Sequence, residues 1–196
     1  PANQGRLAAR LLKPHLIAMR FDLITLFPEL VLPFLQCGVT RRAFEGEQIK
    51  VQCWNPRDYA DGAYRRVDDR PFGGGPGMVM LAEPLELAIN AALARQQAAG
   101  VVKPKVVHLS PSGKPLTHDD VMALSKEQGL VLLASRYEGV DQRLLDQVIG
   151  EEYSIGDYVL SGGELPAMVL MDAVVRQIPG ALGDAQSAIE ESFVSG

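Results

Sequence analysis

Cysteine is nearly absent from this sequence, with two in 196 residues, Cys37 and Cys53. Neither belongs to a CxxC pair, and the three histidines are scattered. That excludes a disulfide framework and the usual spaced zinc motifs. Each cysteine sits among apolar and aromatic neighbours and is expected to be a buried free thiol, which fits a reducing, cytoplasmic setting. Long apolar runs are missing too. The longest, residues 130–134 and 168–175, fall far short of the ~18–20 residues of a membrane span. A net positive charge is also lacking: the formal value is −5. A strongly basic, nonspecific nucleic-acid binder is therefore excluded, but a locally basic RNA surface is not.

The familiar nucleotide fingerprints are missing as well. No GxxxxGK[ST] phosphate loop occurs, since Gly113-Lys114 is followed by Pro115. No GxGxxG follows the first expected strand. No GxSxG elbow is present, which weakens a hydrolase reading. The run Gly73-Gly74-Gly75-Pro76-Gly77 has no lysine or hydroxyl after it to hold a phosphate. There is no internal repeat and no low-complexity tract.

What is present is an ordinary globular composition, 47% hydrophobic and 22% charged, long enough for one sizeable core. Residues 20–27 and 48–54 alternate as strands. Residues 106–109, 130–134 and 152–155 read as further strands, the first two as continuous apolar runs. Helices are expected over residues 28–36, 38–44, 83–98, 117–126, 141–149 and 165–178. Thr117 with Asp120 three residues on forms a capping-box pattern. Alternating strands and helices with near-continuous apolar strands predict an α/β fold: an open, mostly parallel sheet with helices on both faces. Residues 1–18 precede this pattern and are expected to be an upstream or appended extension. Residues 55–77 form a long polar loop, a length that usually signals function or disorder. The arginines Arg41, Arg42, Arg57, Arg65, Arg66 and Arg70 cluster in and before it. Carboxylates are interleaved with them, so a salt-bridged surface explains them as well as a ligand does.

Three turns each follow a strand: Leu109-Ser110-Pro111-Ser112-Gly113, then the segment 135–141 (SRYEGVD), then the segment 154–166 (SIGDYVLSGGELP). In an open α/β sheet, ligands bind outside the carboxyl ends of strands. The glycines Gly113, Gly139, Gly156, Gly162 and Gly163 allow close approach of backbone to ligand. Freed backbone groups suit a neutral or zwitterionic adenosine ligand better than a triphosphate.

With these segments in view the chain closely resembles the bacterial tRNA (guanine-N1)-methyltransferase family, TrmD. The matching stretches are FDLITLFPEL, GVTRRA, NPRDY, VDDRPFGGGPGM, LSPSGKPL, RYEGVDQR, SIGDYVLSGGELPAM and IPGALG, in order across residues 20–193. The resemblance implies a SPOUT fold with a C-terminal trefoil knot and a homodimer. It implies S-adenosylmethionine as methyl donor, tRNA as substrate and magnesium for activity, with no membrane association.

By resemblance the cofactor contacts fall on Leu109, Ser110, Pro111 and Gly113; on Ser135, Tyr137, Glu138 and Gly139; and on Ile155, Gly156, Asp157, Tyr158, Val159, Leu160, Gly162 and Gly163. Ser135 stands where the family usually has glycine, and its Cβ is expected to crowd the ligand. The reaction implied is methyl transfer to N1 of the guanosine 3′ of the anticodon. A general base must take the N1 proton, held within about 3 Å of it. The position of the family's aspartate is occupied here by Glu191, in Glu190-Glu191-Ser192-Phe193. The family arginine that stabilises developing charge on O6 matches Arg176. The arginine-rich loop would then contact tRNA phosphates.

The resemblance assigns residues 19–180 to the cofactor-binding domain and 181–196 to the start of a linker towards a helical tRNA-binding domain. On that expectation this chain alone binds the cofactor as a dimer but methylates tRNA poorly. The competing readings are another SPOUT RNA methyltransferase, a non-catalytic cofactor-binding RNA module and, more distantly, a nicotinamide dehydrogenase.

Overall fold

The computed structural model describes residues 18–46 and 48–181. Two apolar clusters on opposite faces of one sheet organise it. The sheet contains β1 (Met19–Ile24), β2 (Ile49–Trp54), β5 (Lys105–Pro115), β6 (Gly129–Ala134) and β7 (Glu151–Ser154). Its order is β2-β1-β6-β5-β7, and every pairing is parallel. The helices are α1 (Pro28–Leu35), α2 (Arg41–Glu45), α3 (Ala82–Ala98), α4 (His118–Leu124), α5 (Gln142–Val148) and α6 (Glu164–Arg176). The expected α/β class holds.

Strand side chains alternate between faces. On β6, Leu130, Leu132 and Ala134 join the cluster under α1, α2, α4 and α6, with Phe21, Val31, Val121, Leu170 and Val174. Val131 and Leu133 point the other way, to Leu85, Ile89 and Ala92 of α3 and to Leu144 and Leu145 of α5. All six β6 residues are buried. A strand covered on both faces has no polar side to show, which is why it reads as a continuous apolar run.

Local signals place the helix ends. Pro28 opens α1 with its fixed φ. Thr117 Oγ1 accepts the Asp120 N–H at 3.3 Å, and the Asp120 carboxylate accepts the Thr117 N–H at 3.1 Å, completing the expected capping box. This partnership, with Lys114 at 2.9 Å, lowers the Asp120 pKa to about 2.

The structure corrects three expectations. The segment Ser110–Gly113 is not a turn that ends the strand. β5 continues to Pro115, slipping register against β7 between Leu109 and Lys114, so the turn is an irregularity within a longer strand. The long loop after β2 carries structure: a 3₁₀ turn, Pro56–Tyr59, capped by the Asn55 side chain, and a small antiparallel ladder of β3 (Asp68–Asp69) and β4 (Val79–Met80). Cys37 is exposed, not buried; Cys53 is half-buried, and burial, then Asp22, raise its pKa to about 11. Among the described residues, no helix is long and apolar enough to cross a membrane.

Candidate active site

The carboxyl ends of β5, β6 and β7 surround a cavity of about 320 Å³. The three turns singled out in the sequence converge on it. Every cofactor residue named there lines the cavity except Gly113 and Asp157. Gly113 instead packs against β7, where a Cβ would stand 2.6 Å from the Tyr153 nitrogen. Its lack of a side chain lets the irregular part of β5 lie flat on its neighbour. The cavity also takes in Ser112, Ser154, Ser161 and Pro166 of the same turns, and His108 and Tyr153, which lie outside them and which sequence reasoning did not name. The signal for His108 was its place two residues before Ser110, on the same side of β5.

Close backbone contacts hold the turns together. The Gly163 N–H donates to the Ser135 carbonyl at 2.9 Å. A Cβ on Gly163 would come within 2.6 Å of Ala134 Cα, so only glycine fits there. Tyr137 adopts φ of 60°, a left-handed conformation unusual for a non-glycine residue. The Ser154 hydroxyl donates to the Gly156 carbonyl at 2.9 Å and tightens the third turn.

A buried ion pair lies among the residues that carry these turns. Glu164, 1% exposed, accepts from the Thr25 hydroxyl at 2.8 Å and pairs with Arg136 Nε at 2.9 Å. Arg136 also donates to the Ser161 carbonyl at 3.0 Å and stacks on the Phe27 ring, 4.5 Å from its centroid. Charge, aromatic face and carbonyl together fix the guanidinium between the second and third turns. On the sheet, His108 Nε2 lies 2.9 Å from Ser135 Oγ. Burial lowers the His108 pKa, and the nearby Glu152 carboxylate only partly opposes it.

The end of the glycine run set aside in the sequence packs against this site. The Glu138 N–H donates to the Met78 carbonyl, and the Met80 N–H to the Gly139 carbonyl, both at 2.9 Å. A Cβ on Gly77 would stand 2.6 Å from Glu138 Oε1. The long arginine-bearing loop therefore returns against Glu138, the carboxylate of the second turn that lines the cavity. On that loop Arg65 pairs with Asp58 at 3.0 Å and Arg66 with Asp69 at 2.8 Å. These exposed pairs are worth little and exchange readily for other anions. Tyr64 and Phe72, 97% and 105% exposed, stand beside them.

Arg176 is not brought to the cavity. It lines a shallow groove of about 510 Å³ with Phe34, Val121, Met168 and Ala173, at the far end of α6. At about 1.5 Å rise per residue it lies about 18 Å along the helix from Glu164. Glu191 lies outside the described residues. Among the described residues, no group of three or more His, Cys, Asp or Glu side chains is gathered for a metal.

Residues 19–196 match the family model described as tRNA (Guanine-1)-methyltransferase TrmD. The chain is 62% identical over 179 residues to a tRNA (guanine-N(1)-)-methyltransferase of Dechloromonas aromatica (strain RCB), covering 91% of this chain and 70% of that protein. It is 60% identical over 178 residues to the one of Janthinobacterium sp. (strain Marseille), covering 91% and 72%. Against that of Burkholderia ambifaria (strain MC40-6) it is 56% identical over 179 residues, covering 91% and 68%. With the family model matched from residue 19 to residue 196 and identities of this level over nine-tenths of the sequence, the chain belongs to the tRNA (guanine-1)-methyltransferase TrmD family.

Proposed function

We propose that the cavity binds S-adenosylmethionine and that the chain methylates N1 of the guanosine 3′ of the anticodon in tRNA. The observation that carries this reading is the convergence of three backbone-rich turns on one cavity with Glu138 at its second turn. By the family resemblance, main-chain groups of Ile155, Tyr158 and Leu160, all on the cavity wall, would hold the edge of an adenine. Glu138 suits the cationic end of a methionine moiety. A triphosphate would instead need a phosphate loop, which is missing from the sequence. When bound, the cofactor supplies an electrophilic methyl group on a cationic sulfur.

The chain's own residues then have two tasks. A base must take the N1 proton, and a cation must meet the charge that grows on O6. We assign the first to Glu191 and the second to Arg176. Because Arg176 sits about 15 Å along α6 from Pro166, the cavity residue on that helix, we infer a homodimer in which it serves the partner's substrate. The apolar groove around it, with Val169 and Leu165 about half exposed on the same helix, supports such an interface. The arginine loop, with Tyr64 and Phe72 exposed, is suited to tRNA phosphates and unstacked bases. The crossing of the β6–α5–β7 segment past β5 is consistent with the trefoil knot that the family resemblance implies, and a cytoplasmic setting follows from the substrate.

Two measurements test this. Titration calorimetry is expected to give one S-adenosylmethionine per chain and no binding of a nicotinamide dinucleotide. Methylation assays are expected to label a tRNA transcript with guanosine at the target position and not one lacking it. Arg176→Ala is expected to cut methyl transfer about 10²–10³-fold while leaving cofactor affinity unchanged. Undiminished transfer by Glu191→Gln would remove Glu191 as the base.

A further inference from the structure

Ser135 touches all three elements of the cavity. Its hydroxyl lies 2.9 Å from Nε2 of His108 on β5, and its carbonyl accepts from Gly163 in the third turn. His108 is only 3% exposed and lines the cavity floor beside Ser135. Its second ring nitrogen, Nδ1, is buried and has no hydrogen-bond partner. It faces Glu152 Oε1 at 3.5 Å, across the β5–β7 pairing. Glu152 also accepts from the Ser112 hydroxyl at 3.2 Å.

This geometry selects a tautomer. A neutral imidazole carries one N–H. Were it on Nε2, the bare lone pair of Nδ1 would face a carboxylate in a buried site, where like polarity is costly. Protonating both nitrogens would place a charge on a ring that is almost wholly out of water. The arrangement that avoids both costs has the N–H on Nδ1, on the side of the Glu152 carboxylate. Nε2 is then an acceptor, and the Ser135 hydroxyl must donate to it. The proton of Ser135 is thereby committed to the floor. Its oxygen keeps a lone pair for the cavity.

We propose that His108 is a positioning residue that fixes the Ser135 hydroxyl as a hydrogen-bond acceptor in the cavity floor, where it takes an N–H or O–H donor of the S-adenosyl ligand. The inference rests on the reading of the cavity as the S-adenosylmethionine site. It also changes the expectation that Ser135 crowds the ligand: the side chain is engaged with His108 and contributes a contact that glycine lacks.

The test has two arms on the full chain. Long-range ¹H–¹⁵N correlation spectra of the His108 ring, without ligand, are expected to show the proton on Nδ1. Calorimetry with S-adenosylmethionine is expected to show about tenfold weaker binding for Ser135→Ala. His108→Phe is expected to lose a similar amount, and the double variant no more than the larger single loss, because the two residues act as one unit. An Nε2–H or doubly protonated ring overturns the inference, as does Ser135→Ala binding within about twofold of the parent chain. Failure of the parent chain itself to bind overturns the cavity reading, and the inference with it. That outcome is distinct from a parent that binds and a Ser135→Ala that binds equally well.

Discussion

Asp22 and Glu164 are both carboxylates cut off from water, at 0% and 1% exposure, yet they serve different ends. Asp22, in the middle of β1, accepts from Trp54 Nε1 at 2.6 Å, from Arg95 at 2.9 and 3.0 Å and from Gln96 at 2.8 Å. Its partners sit on β2 and α3, so this cluster bolts a helix and an edge strand to the sheet, remote from the cavity. Glu164 opens α6 and holds Thr25 and Arg136, and Arg136 spends its remaining contacts on the Ser161 carbonyl and the Phe27 ring. Its partners are loop residues. A buried charge must be paired wherever it lies; what differs is whether the pairing fixes layers or the shape of a pocket. The first should register in stability alone, the second in stability and ligand affinity together.

The largest expected effect comes from Asp22→Ala. Removing one partner of a buried ionic cluster costs about 3–5 kcal/mol, here by stranding Arg95, Gln96 and the Trp54 indole N–H. Denaturant unfolding should report that loss, while the fraction that stays folded binds S-adenosylmethionine as before. A parallel loss of affinity in the folded fraction would erase the distinction between the two carboxylates. Glu164→Gln is expected to cost about 2 kcal/mol, the range for a hydrogen bond to a charged group. It should also weaken the cofactor about tenfold, since Arg136 no longer holds Ser161. Unaltered affinity by calorimetry would make Glu164 a second Asp22. The smallest effect concerns neither. The folded pKa of Asp120 is lowered to about 2 by the Thr117 cap and Lys114, from an ordinary value near 3.8. A depressed carboxylate contributes its stability above the unfolded pKa and loses it as the pH falls through the folded one. Asp120→Asn should therefore reduce stability at neutral pH and flatten its decline between about pH 4 and pH 2. Acid unfolding curves of the two proteins that run parallel through that window would show that the capping carboxylate contributes nothing.

The parts of this molecule that were legible in the sequence are those governed by neighbours along the chain. The apolar run of β6, the Thr117–Asp120 capping box and the helical repeat of Leu85, Ala88, Ile89 and Ala92 all declared themselves through spacing, because a strand or helix presents its faces at a fixed period. The three cavity segments were visible for the same reason, as glycine- and serine-rich interruptions of the strand pattern. Less legible was where β5 ends. Its extension to Pro115 depends on pairing with Tyr153 and Ser154 of β7, and nothing within 105–115 announces that partner. The exposure of Cys37 likewise followed from how α1 meets α2 and not from its apolar neighbours.

The sequence by itself determined the α/β class, the two-faced core and most of the residues around the cavity. It did so because burial and backbone geometry impose short periods and particular residue types. Only the tertiary structure decided that the glycine run at Gly77 lies against Glu138, that His108 and Ser135 share the floor, and that Arg176 stands away from the cavity of its own chain. These are contacts between residues dozens of positions apart; the Thr25–Glu164 hydrogen bond spans 139. Such a contact depends on how whole elements dock, and docking leaves no periodic trace in the amino acids that make it.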